Sequence, residues 1–494
     1  MRRTSALSLA LAGLASHVLA QPLPPAAATS PRQLADLTLE QLSAIEVTSV
    51  SGRAERLQDA AASVFVITAQ DIRRSAATSL PEALRLAPNL QVAQTSAGQW
   101  AISARGFNDA IANKLLVLVD GRTLYSPLFA GVFWDAADLP LEDVERIEVV
   151  SGPGGTLWGA NAVNGVINVV TRRAAETQGP LVAVTRSGQG GRLVARQGGR
   201  IGPDGHWRAW VLATDRDDTT LERSRAPRRD AATRRQAGWR ADWGTAADGF
   251  TLQGEAYDGG PTGSVPSNLS PGIHGGHLLG RWSGTGADGG PWRLQGAWDL
   301  MDRDDRTLFR TRAETLDLQF TREPRVRTGQ LLWGAGVRQT RDRNEATALV
   351  RFDPPARTLH WANVFAQYQR LLGPQLEGTA GVKAERYTDT GWELLPNLRL
   401  AWLHAREATT WAALARVVRA PARIDRDFYL PGRPPFLIAG GPAFGPEIAT
   451  VAELGHRRAF GESASVSVTL FRQQFRGLRA GVPGVSPATV QNLV

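Results

Sequence analysis

The feature that most constrains this chain is a period of two that runs through its C-terminal part. "TLDLQFT" sets Leu316, Leu318 and Phe320 against Asp317, Gln319 and Thr321. "SASVSVTLF" sets Ala464, Val466, Val468 and Leu470 against Ser465, Ser467 and Thr469. "ANVFAQYQ" sets Ala362, Val364, Ala366 and Tyr368 against Asn363, Phe365 and Gln367, whereas the run from Trp207 to Thr214 is less clean because Trp210 and Leu212 are apolar too. Roughly fifteen such segments of about ten residues, separated by Gly, Asp and Pro, fit between residue 176 and Val494.

Alternation sends one kind of side chain to each face of a strand. Lipid on one face and a wet lumen on the other would satisfy both kinds. Lipid cannot satisfy open backbone groups, so strands in lipid must close into a barrel. A soluble sandwich or propeller alternates as well. Strands of ten or more residues, and 15 Trp concentrated in this half near strand ends, favour the membrane barrel.

The N-terminus sets the compartment. "MRRTSALSLALAGLASHVLAQ" has two arginines, an apolar stretch from about Ala6 to Leu14, and small residues before Gln21. It reads as an export signal over residues 1–20, too short to be a transmembrane helix. Residues 21–44 are Pro- and Ala-rich and read as a flexible leader. Ile45, Glu46, Val47, Thr48, Ser49, Val50 and Ser51 form a short extended segment behind it. Such a segment suits strand addition to a partner's sheet edge, or serves as the first strand of the domain that begins at residue 52.

Residues 52–175 have a mixed α/β texture. "SVFVITAQDIRRS" is a strand turning into a helical stretch. Ser79 and Glu82 have capping-box spacing with Pro81 in the first turn, and the helix they open ends before Pro88. "KLLVLVDGR" is a buried strand ended by the turn pair Asp120–Gly121.

Composition removes several chemistries. There is no Cys, which excludes disulfides, thiol nucleophiles and thiolate metal sites. The net charge of +9 is carried almost wholly by Arg, but no dense basic run with interleaved aromatics points to nucleic acid. His274 and His277 are the only close histidine pair and read as part of a solvated Gly/Pro-rich loop, so no metal site and no acid–base constellation stands out.

"VSGPGGTLWGANAVNGVINVVTRR" resembles a phosphate cradle at first sight. Gly154 and Gly159 have P-loop spacing, but Ala160 and Asn161 follow where Lys and Ser/Thr are needed. Leu157 stands where a dinucleotide fingerprint has its third glycine, and "GVINVVT" is a β-branched strand. The glycines read as a tight packed corner.

Taken together, "IEVTSVS", "VFVITAQDI", "LPEALRLAPNLQV", "ISARGFND", "LLVLVDGR" and "LEDVERIEVVSGPGGTLWGANAVNGVINVVT" resemble, in order, the plug domain of TonB-dependent outer-membrane receptors. The resemblance is nearest to siderophore and cobalamin receptors. It implies a membrane all-β barrel, 22-stranded in the family, with an N-terminal mixed α/β plug inside it. It implies a TonB box at residues 45–51, which binds the TonB protein of the inner-membrane energy-transducing complex. Arg105, Phe107, Asn108 and Asp109, with Tyr125, Phe129, Phe133 and Trp134, are then ligand-binding plug apices. Glu145, Arg146 and Glu148 are plug–barrel contacts. The implied activity is uptake of an iron–siderophore complex, or of cobalamin, across outer-membrane lipid, with no cofactor and no enzyme chemistry.

Two departures stand out. The family usually has Arg before the Gly-Pro, where this chain has Ser151. Residues 176–494 hold about fifteen strands rather than 22, and Val494 is not the family's terminal aromatic. The expectation is a partial barrel truncated at the C-terminus, and with it the alternative of a non-transporting plug-plus-partial-barrel protein.

Overall fold

A computed structural model describes residues 46–262, 271–305, 308–405, 408–460, 464–481 and 488–492. The expected signal, the leader and Ile45 lie outside the described residues.

The period of two becomes a wall. Fifteen strands, from Gly179–Ser187 to Ala464–Arg476, pair antiparallel in chain order, and the two-residue strand Arg325–Val326 joins them as a sixteenth. Their lengths run from 9 residues in Gly179–Ser187 to 17 in Gly329–Glu345. Among the described residues, the first and last strands of this path each have one neighbour in the sheet. Connections at one rim are short, as at 202–204, 245–248 and 286–290; those at the other rim are long, as at 217–231, 346–355 and 420–446. Strand Glu447–Phe460 shows the face rule well: Val451 and Glu453 are buried towards the lumen, while Leu454 is 54% exposed on the outside. The outward face carries Val182, Leu316, Val364, Leu398 and Leu470, all exposed. Trp282, Trp292, Trp333 and Trp402 lie close to the short-turn rim, with Trp282 and Trp292 packed edge to face at 5.0 Å. Indole is apolar in body and polar at its N–H, which suits an interface.

Inside the wall sits a five-stranded mixed sheet in the order Ser63–Thr68, Val144–Ser151, Gly165–Thr171, Leu115–Val119, Arg122–Leu124. Only the Leu115–Val119 and Gly165–Thr171 pair is parallel. This sheet is buried on both faces, which explains its nearly unbroken apolar runs. Ile67, Val117, Ile147, Val149, Ile167 and Val169 pack on one face with helices Ala69–Ser75 and Leu80–Leu84. Val66, Leu116, Leu118, Val150 and Val166 pack on the other with Val47, Val50, Ala60 and Ala62. Burial of each Val, Leu or Ile side chain here contributes about 1.5–3 kcal/mol.

The helix starts follow the capping chemistry. Ser79 Oγ accepts from Glu82 N at 3.4 Å, and Glu82 turns to Thr78, accepting from its N at 2.6 Å. Thr68 and Asp71 form a full capping box for Ala69–Ser75. The glycine-rich corner holds a four-residue helix, Gly155–Trp158, between two strands. Gly152 (φ +129) and Gly159 (φ +80) need glycine twice over. Both are left-handed, and a Cβ on either would collide with a wall carboxylate, Glu453 or Glu385.

Candidate functional site at the plug and barrel wall

The lumen-facing positions of the wall are polar, and most of their polar contacts go to the inner domain. Arginine dominates because its planar fork offers five donors. Many of these donors seek main-chain carbonyls. Arg457 donates to Ala60 O at 3.2 Å and Ala62 O at 2.8 Å. Arg234 donates to Asp135 O and Ala136 O, both at 3.1 Å. Arg399 reaches Pro153 O at 3.2 Å, Gln367 reaches Ser51 O at 3.1 Å, and Lys383 reaches Leu157 O at 3.1 Å.

Ion pairs supplement these bonds. Lys114 Nζ lies 2.7 Å from Glu447, Arg122 2.5 Å from Asp299, Glu142 2.8 Å from Arg192, and Asp135 2.8 Å from Arg303. Asp120 is a hub at the Asp120–Gly121 turn. It accepts from Thr171 N at 2.9 Å, Thr171 Oγ1 at 2.8 Å and Gln253 Nε2 at 3.2 Å. Burial pushes its carboxyl up, but the Arg240 and Arg281 guanidiniums and the Thr171 bonds outweigh that and hold it below the usual carboxylate range.

The corner at Ser151 is charged after all, by a different residue. Arg105 pairs with Glu453 on the wall and donates to Ser151 O at 2.7 Å. Both side chains of the pair are nearly fully buried. Arg105, expected at a ligand surface, is therefore a plug–wall tie.

The other expected plug–barrel contacts are corrected. Glu145, Arg146 and Glu148 make their ion pairs with one another, Arg146 Nε lying 2.9 Å from Glu148. Glu148 is 0% exposed and accepts from Thr48 N at 3.0 Å and Ser49 N at 2.9 Å, as well as from the Ser49 hydroxyl. Their strand faces the extended segment rather than the wall. Trp158 Nε1 adds a bond to Ser49 O at 2.9 Å. Glu46 and Val47 pair with Arg56 and Glu55. Val47, Ser49, Val50 and Ser51 are buried and Glu46 is exposed, so the segment lies docked under the inner sheet, towards the short-turn rim. Beside it, burial pushes the Glu55 carboxyl up to about 7, against a Ser51 hydrogen bond and the Arg399 charge.

At the long-loop side the expected apices divide. Phe107 is 45% exposed, and Asn108 and Asp109 are exposed with it. Arg105, Gly106 and Phe107 are successive left-handed residues, a conformation that costs about 1–2 kcal/mol for a non-glycine residue. Asn108 Nδ2 steadies the tip by donating to Gln91 O and Ala101 O at 3.1 and 3.2 Å. Phe107 also packs edge to face on Phe475 at 5.0 Å. The aromatic loop, by contrast, is packed away. Phe129 and Phe133 join Phe309, Val350, Phe352 and Phe428 in one apolar cluster, and Arg303 lies 4.2 Å from the Phe133 ring. Tyr125 packs on Trp361 at 5.0 Å, and its hydroxyl is pushed up by burial. Trp134 belongs to the inner domain's core. Val350, Phe352 and Phe428 come from long connections, and Arg303, Phe309 and Trp361 from wall strands, all far along the chain, which local patterning does not show.

The His274–His277 pair is also corrected. It lies within strand Gly272–Thr285, not in a loop. Three residues apart on a strand, the two rings face opposite sides: His274 is 53% exposed and His277 8%. They cannot share an ion. Among the described residues no group of three or more His, Asp or Glu is placed to hold a metal.

Comparison with known proteins follows the same division. Residues 56–166 match the TonB-dependent receptor plug domain, and residues 180–493 match the TonB-dependent receptor-like β-barrel. The vitamin B12 transporter BtuB of Vibrio vulnificus is 36% identical over 130 residues, 26% of this chain and 20% of that protein. The ferric enterobactin receptor PirA of Pseudomonas aeruginosa is 30% identical over 247 residues, 42% of this chain and 33% of that protein. The chain thus spans about a fifth to a third of the curated relatives it matches. Among solved structures, the siderophore receptor PirA of Pseudomonas aeruginosa superposes with a TM-score of 0.66 at 20% identity, covering 87% of this chain and 78% of that one. Its counterpart from Acinetobacter baumannii gives 0.69 at 16% identity, covering 87% and 76%. At these identities the likeness is one of fold.

Proposed function

The chain belongs to the TonB-dependent receptors, and from that premise we propose that it is an energy-coupled outer-membrane receptor that takes up an iron–siderophore complex. The observation that carries this reading is the polarity of the plug across the wall. An exposed tip, Phe107 to Asp109, stands at the long-loop rim, and an extended segment, Glu46 to Ser51, lies at the short-turn rim. Cargo from outside would meet the first, and a periplasmic partner the second.

The apolar outward face and its Trp-rich rim support placement in outer-membrane lipid. The segment at residues 45–51 is the proposed TonB box. Strand addition to the TonB protein would expose backbone groups of Thr48 and Ser49 that Glu148 now holds. Asn108, Asp109 and Phe107 are the proposed cargo contacts. A cobalamin cargo is the second reading, favoured by the match of the plug to vitamin B12 transporters.

Deletion of the gene, followed by uptake of a panel of iron–siderophore complexes and cobalamin on iron-chelated medium, tests the reading. Loss of one iron complex is the expected result. Unchanged uptake of every iron complex refutes the siderophore reading, and a loss confined to cobalamin selects the second.

A further inference from the structure

Two cavities lie between plug and wall, on the same side of the molecule. The upper, of about 140 Å³, reaches towards the long-loop rim past Phe133, Tyr257 and His277. The lower, of about 440 Å³, reaches the short-turn rim past Thr48, Thr245 and Arg293. Asp120, Thr123, Tyr125, Arg240, Gln295 and Arg338 line both. The two spaces therefore meet at one place, the hairpin tip between strands Leu115–Val119 and Arg122–Leu124.

That tip is fastened to four wall strands, three of them successive. Gln253 donates to Asp120 at 3.2 Å, Arg281 donates to Asp120 O, Arg122 pairs with Asp299 at 2.5 Å, and Arg338 donates to Thr123 Oγ1 at 3.0 Å. The tip is thin. Its two turn residues, Asp120 and Gly121, are left-handed, and Gly121 abuts the Gln295 amide. Within the plug, Asp120 N donates to Val169 O at 2.9 Å and its carboxylate accepts from Thr171, so lifting the tip breaks these bonds too, while the rest of the plug keeps its own ties to the wall.

The lower cavity has a sign. Seven basic side chains, Arg281 and Arg293 among them, line it against four carboxylates, Asp120, Glu145, Asp317 and Glu385. Among the described residues, Arg281 and Arg293 make no ion pair: Arg281 is held by Gln295 Oε1 at 2.9 Å and by Asp120 O. Charges in a low-dielectric passage focus the field and concentrate ions of opposite sign.

We infer that these cavities are the two halves of an anion-selective passage along the wall, closed by the Asp120–Arg122 hairpin tip. It opens by displacement of that tip alone, with the plug core still folded. The inference deepens the uptake reading and rests on it for its biological cargo, but its physical test does not.

The full chain, reconstituted in a planar bilayer under a potassium chloride gradient, reports the passage directly. Arg122→Ala with Gln253→Ala removes two of these ties, loosens the tip and is expected to open a conductance preferring chloride over potassium. Adding Arg281→Glu and Arg293→Glu is expected to invert that preference. A loosened variant that remains heat-modifiable, and so folded, yet conducts nothing overturns the inference, as does a preference that survives charge reversal. The chain has no cysteine of its own. Gly121→Cys with Gln295→Cys can therefore be bridged by a short bis-methanethiosulfonate linker and released with reductant. Bridged protein is expected to lose uptake in cells and regain it on reduction; equal uptake in both states also overturns the passage. Absence of uptake in both states, alongside an anion-selective bilayer conductance, would fault the transport reading and leave the passage standing.

Discussion

The interior of the plug and its boundary with the wall are held together by different physics. The interior is β-branched and apolar: Ile67, Ile147, Val149, Ile167 and Val169 are each fully buried. The boundary is a field of cations, many of them on main-chain oxygens. An apolar core resists any separation of its parts, because every exposed methylene costs about 0.8 kcal/mol. A polar boundary loses its bonds one at a time, and water can replace each of them. A domain that must stay folded while shifting inside a wall needs this division.

The boundary is most vulnerable at Arg105. Arg105→Ala leaves Glu453 buried without its partner, which costs about 3–5 kcal/mol. Thermal unfolding of the purified receptor should show a less stable plug. Ser151→Arg added to that variant should recover part of the loss, because residue 151 adjoins Gly152, which abuts the same carboxylate. Failure of the second change to help would mean that the corner recognises the path of Arg105 and not its charge.

Ile147→Ala tests the interior. A cavity in a fully buried sheet position costs about 2–5 kcal/mol. Hydrogen exchange should then quicken across the whole five-stranded sheet, whereas Arg105→Ala should quicken it mainly at the corner. Arg457→Ala removes bonds to Leu57, Ala60 and Ala62 at once. About 1–3 kcal/mol is expected, read as local exchange at residues 57–62 with the core sheet unchanged. If the core also loosens, boundary and interior are not separable.

The smallest effect is one of pH. The folded-state pKa of Glu55 is raised from 4.5 to about 7, so the neutral form favours the docked state. This contribution is complete below about pH 4.5 and fades as pH rises through about 7. A spin label at Glu46 should therefore gain mobility between those values, and Glu55→Gln should flatten the change. A label equally immobile throughout would remove Glu55 from the docking.

Sequence alone made the interior legible and left much of the boundary dark. Strand Leu115–Val119, the caps at Thr68 and Ser79 and the strand after the glycine corner all follow from local rules. The wall's roughly fifteen strands follow from period alone. A carbonyl acceptor, however, leaves no mark on residue identity, so nothing in Ala60 or Ala136 announces an arginine partner. Arg105 reads as a loop tip from sequence because Gly106 follows it, whichever way its side chain points. Phe129 looked exposed because the residues that cover it, Val350, Phe352 and Phe428, lie more than two hundred positions away. His274 and His277 looked like a loop because glycines crowd them, although glycine here sits in a long strand.

The carbonyl-seeking wall has a consequence for descent. A grip that holds main chain rather than side chains is indifferent to the letters of the domain it grips. Substitutions can accumulate at the half-buried Leu57, Ala136 or Leu157 without disturbing their ties, provided the backbone keeps its course. The burden of inheritance falls instead on the wall's own donors, Arg234, Arg399 and Arg457. A plug borrowed from a distant relative would find its seat here by the path of its chain, and lineages could exchange such modules without first rewriting both partners.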